Sequence, residues 1–380
     1  AFTNCRRLFK YDYKMISFPT QYNKIIARIE QADARKYEKT RNFINGAVTY
    51  LSPYIARGVI QLPQIKQIVV PKFGRYVSEK LIQELAWREF FQRVWQHKGL
   101  AIFSDLKQDQ ENVQHRQIPT NIVTANTGIE AIDEAIRQLY QTGYMHNHAR
   151  MYTAMLTCNI AKSHWHMPAK WMYYHLLDGD LASNMLSWQW VAGSFSSKKY
   201  YANQDNINKY AGTQQHGSYL DCPYEAFPFT EIPVDLKPTE DINLTTPLPE
   251  KKTPVIDPSL PVLIYNSYNL DPNWHNEINA NRILLLEPDH FEKYPVSEKV
   301  IHFILNLANH NIPGIQVFAG PFQELQTLIG NNTIIYKEHP VAAHYKGIQE
   351  ERAWLFPAVN QYFGSFFSYW KKCERYYQEK

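Results

Sequence analysis

Seven prolines between residues 233 and 261 (Pro233, Pro238, Pro247, Pro249, Pro254, Pro258 and Pro261) divide this chain into two regions with different hydrophobic periods. Proline lacks a backbone N–H and fixes φ, so residues 231–261 read as a semi-rigid linker. Before it, apolar residues recur at helical spacing and no convincing alternating strand occurs up to about residue 225. After it, short apolar runs alternate with helical stretches, the pattern of a parallel sheet with crossover helices. The expected fold is mainly α: a helical domain over 1–230, the linker, and a small parallel α/β (Rossmann-like) domain over 262–380 ending in an aromatic tail.

Helices are expected over 22–44, from a turn at Thr49–Pro53 with Ser52 as cap, and over 78–97 with Ser78 as cap. An N-terminus such as that behind Ser52 suits either simple capping or a bound phosphate. Residues 104–126 read as a loop. Thr127 and Glu130 have capping-box spacing, and the helix behind them stops at Gly143. Beyond the linker, strands are expected at Val262–Tyr265, Arg282–Leu286, Gly314–Phe318 and Thr333–Tyr336, with helices over 297–310 and 321–329. The tail from Trp354 to Trp370 should pack back on a domain. Residues 1–24 carry Arg6, Arg7, Lys10 and Lys14 among aromatics, which fits either a surface arm or packing on the body.

Composition bears mainly on partners. Of 380 residues, 14% are aromatic, with 26 Tyr, 19 Phe and 9 Trp. That fits a large aromatic core, or a site that stacks on flat ligands or moves electrons. A net charge of +4 permits a polyanionic partner without demanding one. The cysteines Cys5, Cys158, Cys222 and Cys373 are far apart and form no CxxC, which argues against a zinc ribbon. Neither a long apolar span nor a secretory signal is visible, so the expectation is a cytoplasmic monomer (nucleoid-associated in a prokaryote) without a membrane partner.

Chemistry concentrates between Thr142 and Trp190. Asn147, Arg150 and Met151 fall at i, i+3, i+4, placing an amide, a guanidinium and a thioether on one helical face. Arg150 is expected to pair with Asp178 and offset the burial of both charges. Histidines at i, i+2 (His146 with His148, His164 with His166) point apart on a helix, so no metal site is expected. Glu84, Trp87 and Arg88 share another face, as a plain surface pair or as part of a site.

Four segments carry a family resemblance. TGYMHNHARM (142–151), DGDLASNMLSWQW (178–190), ELAWREFF (84–91) and YEKTRNFINGAVTYLSPYIARG (37–58) resemble, in order, motifs of the FAD-binding domain of the photolyase/cryptochrome family. The resemblance implies FAD, reduced to FADH− when active, held by Tyr37, Thr49, Leu51, Ser52, Glu84, Arg88, Asn147, Arg150, Asp178, Asp180 and Asn184. Val48 stands where the family has a threonine, removing one hydroxyl. It implies that Glu84, Trp87, Asn147, Met151 and Trp190 line a cleft for a flipped pyrimidine dimer in UV-damaged DNA. Trp87 and Trp190 would clasp the lesion. Lys198 and Lys199, just past Trp190, fit either phosphate contacts or a solvated loop. Electrons would reach the flavin through Trp165 and Trp188. The family's outermost tryptophan projects onto Asn112. The implied activity is that of a deoxyribodipyrimidine photolyase; the alternatives are a cryptochrome-like photoreceptor and a FAD-containing DNA-binding protein without repair activity. The family usually puts its α/β antenna domain first, so a permuted order is expected here, and the shortness of the α/β region argues against an antenna chromophore.

Overall fold

The computed structural model describes residues 16–378, so most of the basic N-terminal stretch, including Arg6, Arg7, Lys10 and Lys14, lies outside the described residues. The helical region comprises α1 (Tyr22–Gln31), α2 (Ala34–Thr40), α3 (Ser52–Ala56), α4 (Leu62–Phe73), α5 (Arg75–Lys98), α6 (Thr120–Val123), α7 (Glu130–Thr142), α8 (Asn147–Met155), α9 (His166–His175), α10 (Leu181–Ala192) and α11 (Gln204–Ala211). The second region holds β3 (Val262–Tyr265), β4 (Asn281–Leu286), α12 (Pro288–Lys293), α13 (Glu298–Asn311), β5 (Gln316–Ala319), α14 (Phe322–Ile329), β6 (Ile334–Lys337) and β7 (Ile348–Glu350). It ends in α15 (Phe366–Gln378). A short antiparallel pair, β1 (Ile118–Pro119) with β2 (Thr239–Glu240), ties the proline-rich segment to the helical region.

The five strands β5-β4-β3-β6-β7 form one parallel sheet. The order reverses at β3, as in a doubly wound α/β fold, so the loops after β3 and β6 diverge and leave a crevice between them. Alternation along the strands gives the sheet two apolar faces. Leu263, Tyr265, Leu284 and Leu286 join the core of the helical body. Val262, Ile264, Ile283 and Leu285 pack with Phe322 and Leu325 of α14. A continuous core therefore runs between the two regions.

Three contacts fix the junction. Arg57, buried after α3, donates from Nε to the Leu177 carbonyl at 3.1 Å and from Nη1 to the Ser267 carbonyl at 3.4 Å. Its own carbonyl accepts from the Leu270 amide at 2.9 Å. Gly58 follows at φ +65°, and a Cβ there would sit 2.3 Å from the Tyr268 carbonyl oxygen, so only glycine allows this approach. On the far side, Glu89 of α5 accepts from the backbone amides of Leu355 and Phe356 and from the Tyr369 hydroxyl. The aromatic tail does pack back, along α5.

Several local expectations change. The first helical stretch is two helices, broken at Ala32–Asp33, where the Asp33 carboxylate caps α2. Helix α5 starts three residues before Ser78, which is a buried interior residue instead of a cap. Ser52 is the first helical residue of α3, not its cap. At α7 the reciprocal partner of Thr127 is Asp133, whose Oδ1 accepts from both its amide and its hydroxyl at 2.7 Å; Glu130 is merely the first helical residue. The stretch 104–126 contains β1 and α6. The proline-rich segment is strapped down: Thr245 O accepts from Tyr174 Oη, Thr246 exchanges hydrogen bonds with Val296, and Val255 does so with Gln316. Strand β7 was not anticipated, being three residues long and largely exposed.

Burial also sets an acid limit. His146, His166, His175 and His290 are all pushed down to about 4 by desolvation. In the unfolded chain each takes a proton near 6.5, whereas the folded chain keeps them neutral. Stability is therefore fully present above about pH 6.5 and falls as pH drops towards 4. His146, only 3% exposed, alone removes about 1.4 kcal/mol per pH unit across that window. Urea midpoints measured from pH 7.5 to 4.5 should decline steeply below 6.5; a flat profile would contradict the buried, neutral assignment.

Candidate functional site

The site forms where α5, α8 and α10 meet. Helix α8 begins at Asn147, with His146 as its cap: Nδ1 accepts from the His148 amide, which leaves Nε2 as the protonated nitrogen. The face expected from the i, i+3, i+4 spacing is present. Arg150 Nη2 donates to both oxygens of Asp178, at 3.0 and 2.8 Å, and Nε donates to the Met145 carbonyl at 2.8 Å. The Asp178 side chain is 5% exposed, so the pairing offsets the cost of burying its charge.

Asp180 does two jobs. Its Oδ1 caps α10 through the Ser183 amide at 2.7 Å, and its Oδ2 meets Arg88 at 3.2 Å and the Gln92 amide at 2.6 Å. One carboxylate thereby ties α10 to α5. Asn184, one turn into α10, donates to the Ala169 carbonyl at 2.9 Å, which fixes which end of its amide is spoken for.

Around this pair sits an aromatic group. Tyr144, buried, packs edge-on against Tyr50 at 5.3 Å and beneath the Arg150 guanidinium at 5.6 Å. Burial raises its phenol well above the usual range, with Asp178 adding in the same direction. Tyr37 is raised too, first by burial and then by Glu84 nearby. Leu51 is buried beside Tyr50, and Thr49 and Ser52 flank the start of α3. The structure therefore gathers Tyr37, the 49–52 turn, Arg150 and Asp178 on one side, and Arg88, Asp180 and Asn184 along α5 and α10.

These residues fit a flavin dinucleotide. The ion pair is neutral overall, and hydroxyls, an amide and flat aromatic rings lie beside it. One buried polar atom beside them, Ser183 Oγ, has no protein partner, which suits a ligand rich in donors and acceptors. A separate cavity of about 120 Å³ lies between the helical body and the sheet, bordered by Arg88, Gln92, Tyr268, His339 and Arg352. It opens on the crevice between β3 and β6, where Tyr268 stacks on His339 at 4.3 Å. Arg88 is the one expected cofactor residue that reaches it.

The expected lesion residues are spread along an adjoining face. Glu84 is held by Arg41 and Lys80, both at 3.2 Å. Asn147 is exposed, with its amide 3.9 Å from Met151 Sδ. Trp190, 37% exposed, leans on Tyr200 at 5.9 Å. Trp87 stacks on Phe366 at 3.7 Å with only 11° between the planes, a contact that sequence reasoning missed because 279 positions separate the residues. Of the two expected phosphate contacts, Lys198 is exposed, while Lys199 already donates to the Glu111 carbonyl at 2.6 Å and packs on Gly193. Trp188 and Trp165 are buried. Trp165 Nε1 donates to Asp105 at 2.6 Å, and the rings packed on it are His164 and His166. Asn112 occupies an exposed turn at φ +58°. Among the described residues no cluster of His, Cys, Asp or Glu could hold a metal ion, and no helix is long and apolar enough to cross a membrane.

Residues 81–221 match the family model described as the FAD binding domain of DNA photolyase. A deoxyribodipyrimidine photo-lyase of Streptomyces griseus is 31% identical over 160 residues, covering 42% of this chain and 35% of that protein. The Escherichia coli (strain K12) deoxyribodipyrimidine photo-lyase is 30% identical over 193 residues, covering 47% and 40%. A cryptochrome DASH of Natronomonas pharaonis is 28% identical over 191 residues, covering 46% and 40%. The chain thus spans two fifths or less of the length of these relatives. Among solved structures, a Synechocystis cryptochrome aligns with TM-score 0.46 at 25% identity, over 52% of this chain and 44% of that one. Residues 81–221 of the helical region are therefore similar to the FAD-binding domain shared by photolyases and cryptochromes.

Proposed function

We propose that this protein is a light-dependent DNA repair enzyme that splits cyclobutane pyrimidine dimers. The observation that supports this best is the site's composition: a neutral Arg150–Asp178 pair and Asn184 stand beside an accessible face bearing Glu84, Trp87, Asn147, Met151 and Trp190. FAD bound in its reduced form FADH− would lend an electron under light to open the cyclobutane ring and would take it back once the ring has split. The chain's own residues do the rest. Trp87 and Trp190 present flat apolar surfaces to two fused pyrimidines, while Glu84 and Asn147 supply an acceptor and a donor to their imide and carbonyl edges. Arg41 and Lys80 keep Glu84 oriented beside the cleft. Extrusion of the dimer from a duplex costs least where pairing is already damaged, which gives selectivity.

The reading of a light sensor that signals through a partner differs in its demand on this face. Signalling does not need Glu84 and Trp190 to meet a nucleic acid; repair does. Glu84→Ala and Trp190→Ala should each lower light-driven repair of a dimer-containing oligonucleotide, measured per bound flavin, about 10-fold or more. Repair at the wild-type rate in both variants would remove the cleft from the account.

A further inference from the structure

The contact between Trp87 and Phe366 bears on how the lesion face is built. Taking α5 as a regular helix at 100° per residue, Glu84 and Phe90 fall on opposite sides of Trp87 around the axis. Phe366 lies on the Phe90 side, 6.0 Å from that ring, whereas Phe91, on Glu84's side of the axis, meets Trp87 only at a tilt, 5.6 Å away. The covered face of the indole is therefore the one turned away from Glu84. Phe366 is itself fixed: it is 3% exposed, and α15 behind it is anchored by Tyr369 on Glu89 and by Trp370 and Cys373 in the core.

Resting on the repair reading above, we infer that Phe366 is a positioning residue of the lesion cleft. Stacked flat on Trp87, it holds the indole plane and leaves only the Glu84-side face for a pyrimidine dimer. A tryptophan on an unsupported helix face samples several rotamers, and a ligand that stacks on it must freeze one of them. Phe366 removes that cost before DNA arrives. The C-terminal helix thereby contributes to a site whose other residues lie between 84 and 190.

The test uses the full-length, flavin-loaded protein and a single-dimer oligonucleotide. Phe366→Leu keeps an apolar side chain without a ring; Phe366→Met serves as a second ringless variant if the first folds poorly. We expect KM to rise about 3- to 10-fold with kcat and bound flavin unchanged, the scale of one aromatic stacking contact. Phe366→Tyr, which keeps the ring, should restore the wild-type KM. In Trp87→Ala the further change Phe366→Leu should add nothing, because the role acts through the indole. Wild-type KM in the ringless variants, or an undiminished effect in the Trp87→Ala background, overturns the inference while leaving the repair reading intact. If Trp87→Ala itself leaves KM unchanged, the repair cleft has been placed wrongly, a different failure.

Discussion

Asp178→Ala should abolish flavin retention and destabilise the protein by about 3–5 kcal/mol. The carboxylate is almost fully buried and takes two hydrogen bonds from one guanidinium nitrogen of Arg150. Removing it strands a cation beside Tyr144 and Met145, and an uncompensated partly buried charge costs more than the pair itself contributes. The double variant Arg150→Met with Asp178→Leu should recover most of the stability, since apolar replacement of a buried pair is close to neutral. It should not recover flavin. Urea unfolding and the flavin absorption of the purified protein separate the two effects. Flavin retained by the double variant would show that the pair is structural only.

The second large effect is expected far from the cofactor residues. Glu89, 1% exposed, collects the amides of Leu355 and Phe356 and the Tyr369 hydroxyl. Burial raises the pKa of its carboxyl, and these three donors work against that rise. Glu89→Ala leaves all three donors buried without an acceptor, at roughly 1–3 kcal/mol each, and the loss should be about 4 kcal/mol or more. Tyr369 anchors the helix that carries Phe366, so the damage should spread. Limited proteolysis is expected to cut between 353 and 378 well before the rest of the chain. Unchanged proteolysis and stability would mean that the tail is held by its apolar contacts alone.

The parts of this molecule that could be read from sequence are those where local chemistry decides. The Arg150–Asp178 pair was legible because two motifs fixed which charges had to be buried together. Helix α7 was legible because Ile132, Ala135, Ile136 and Leu139 keep one apolar face. Four of the five sheet strands are continuous apolar runs, which buried parallel strands require. What failed had two physical sources. Caps were misassigned because Ser52, Ser78 and Thr127 have the right side chain at roughly the right place, while tertiary packing moved the helix starts. Long-range contacts carried no local signal: neither the Phe366 stack on Trp87 nor the dual role of Asp180 with Arg88 and Gln92 follows from spacing. Strand β7 is short, exposed and held by the neighbouring β6, so its pairing was set by the sheet and not by its own residues.

The sheet shares its core with the helical body, and Arg57, Gly58 and Glu89 all sit at the join. Helix α15 returns along α5 and reaches Trp87 through Phe366. That route makes the C-terminal aromatics part of the lesion face.

The account rests on light-driven repair by the flavin-bound chain, and one measurement addresses it directly. Purified protein with its flavin chemically reduced is mixed, without oxygen, with an oligonucleotide carrying a single cyclobutane dimer, and dimer loss is followed in blue light and in the dark. Loss of the dimer in light and its persistence in the dark is the predicted result. A dimer that survives illumination with reduced flavin bound would contradict the account.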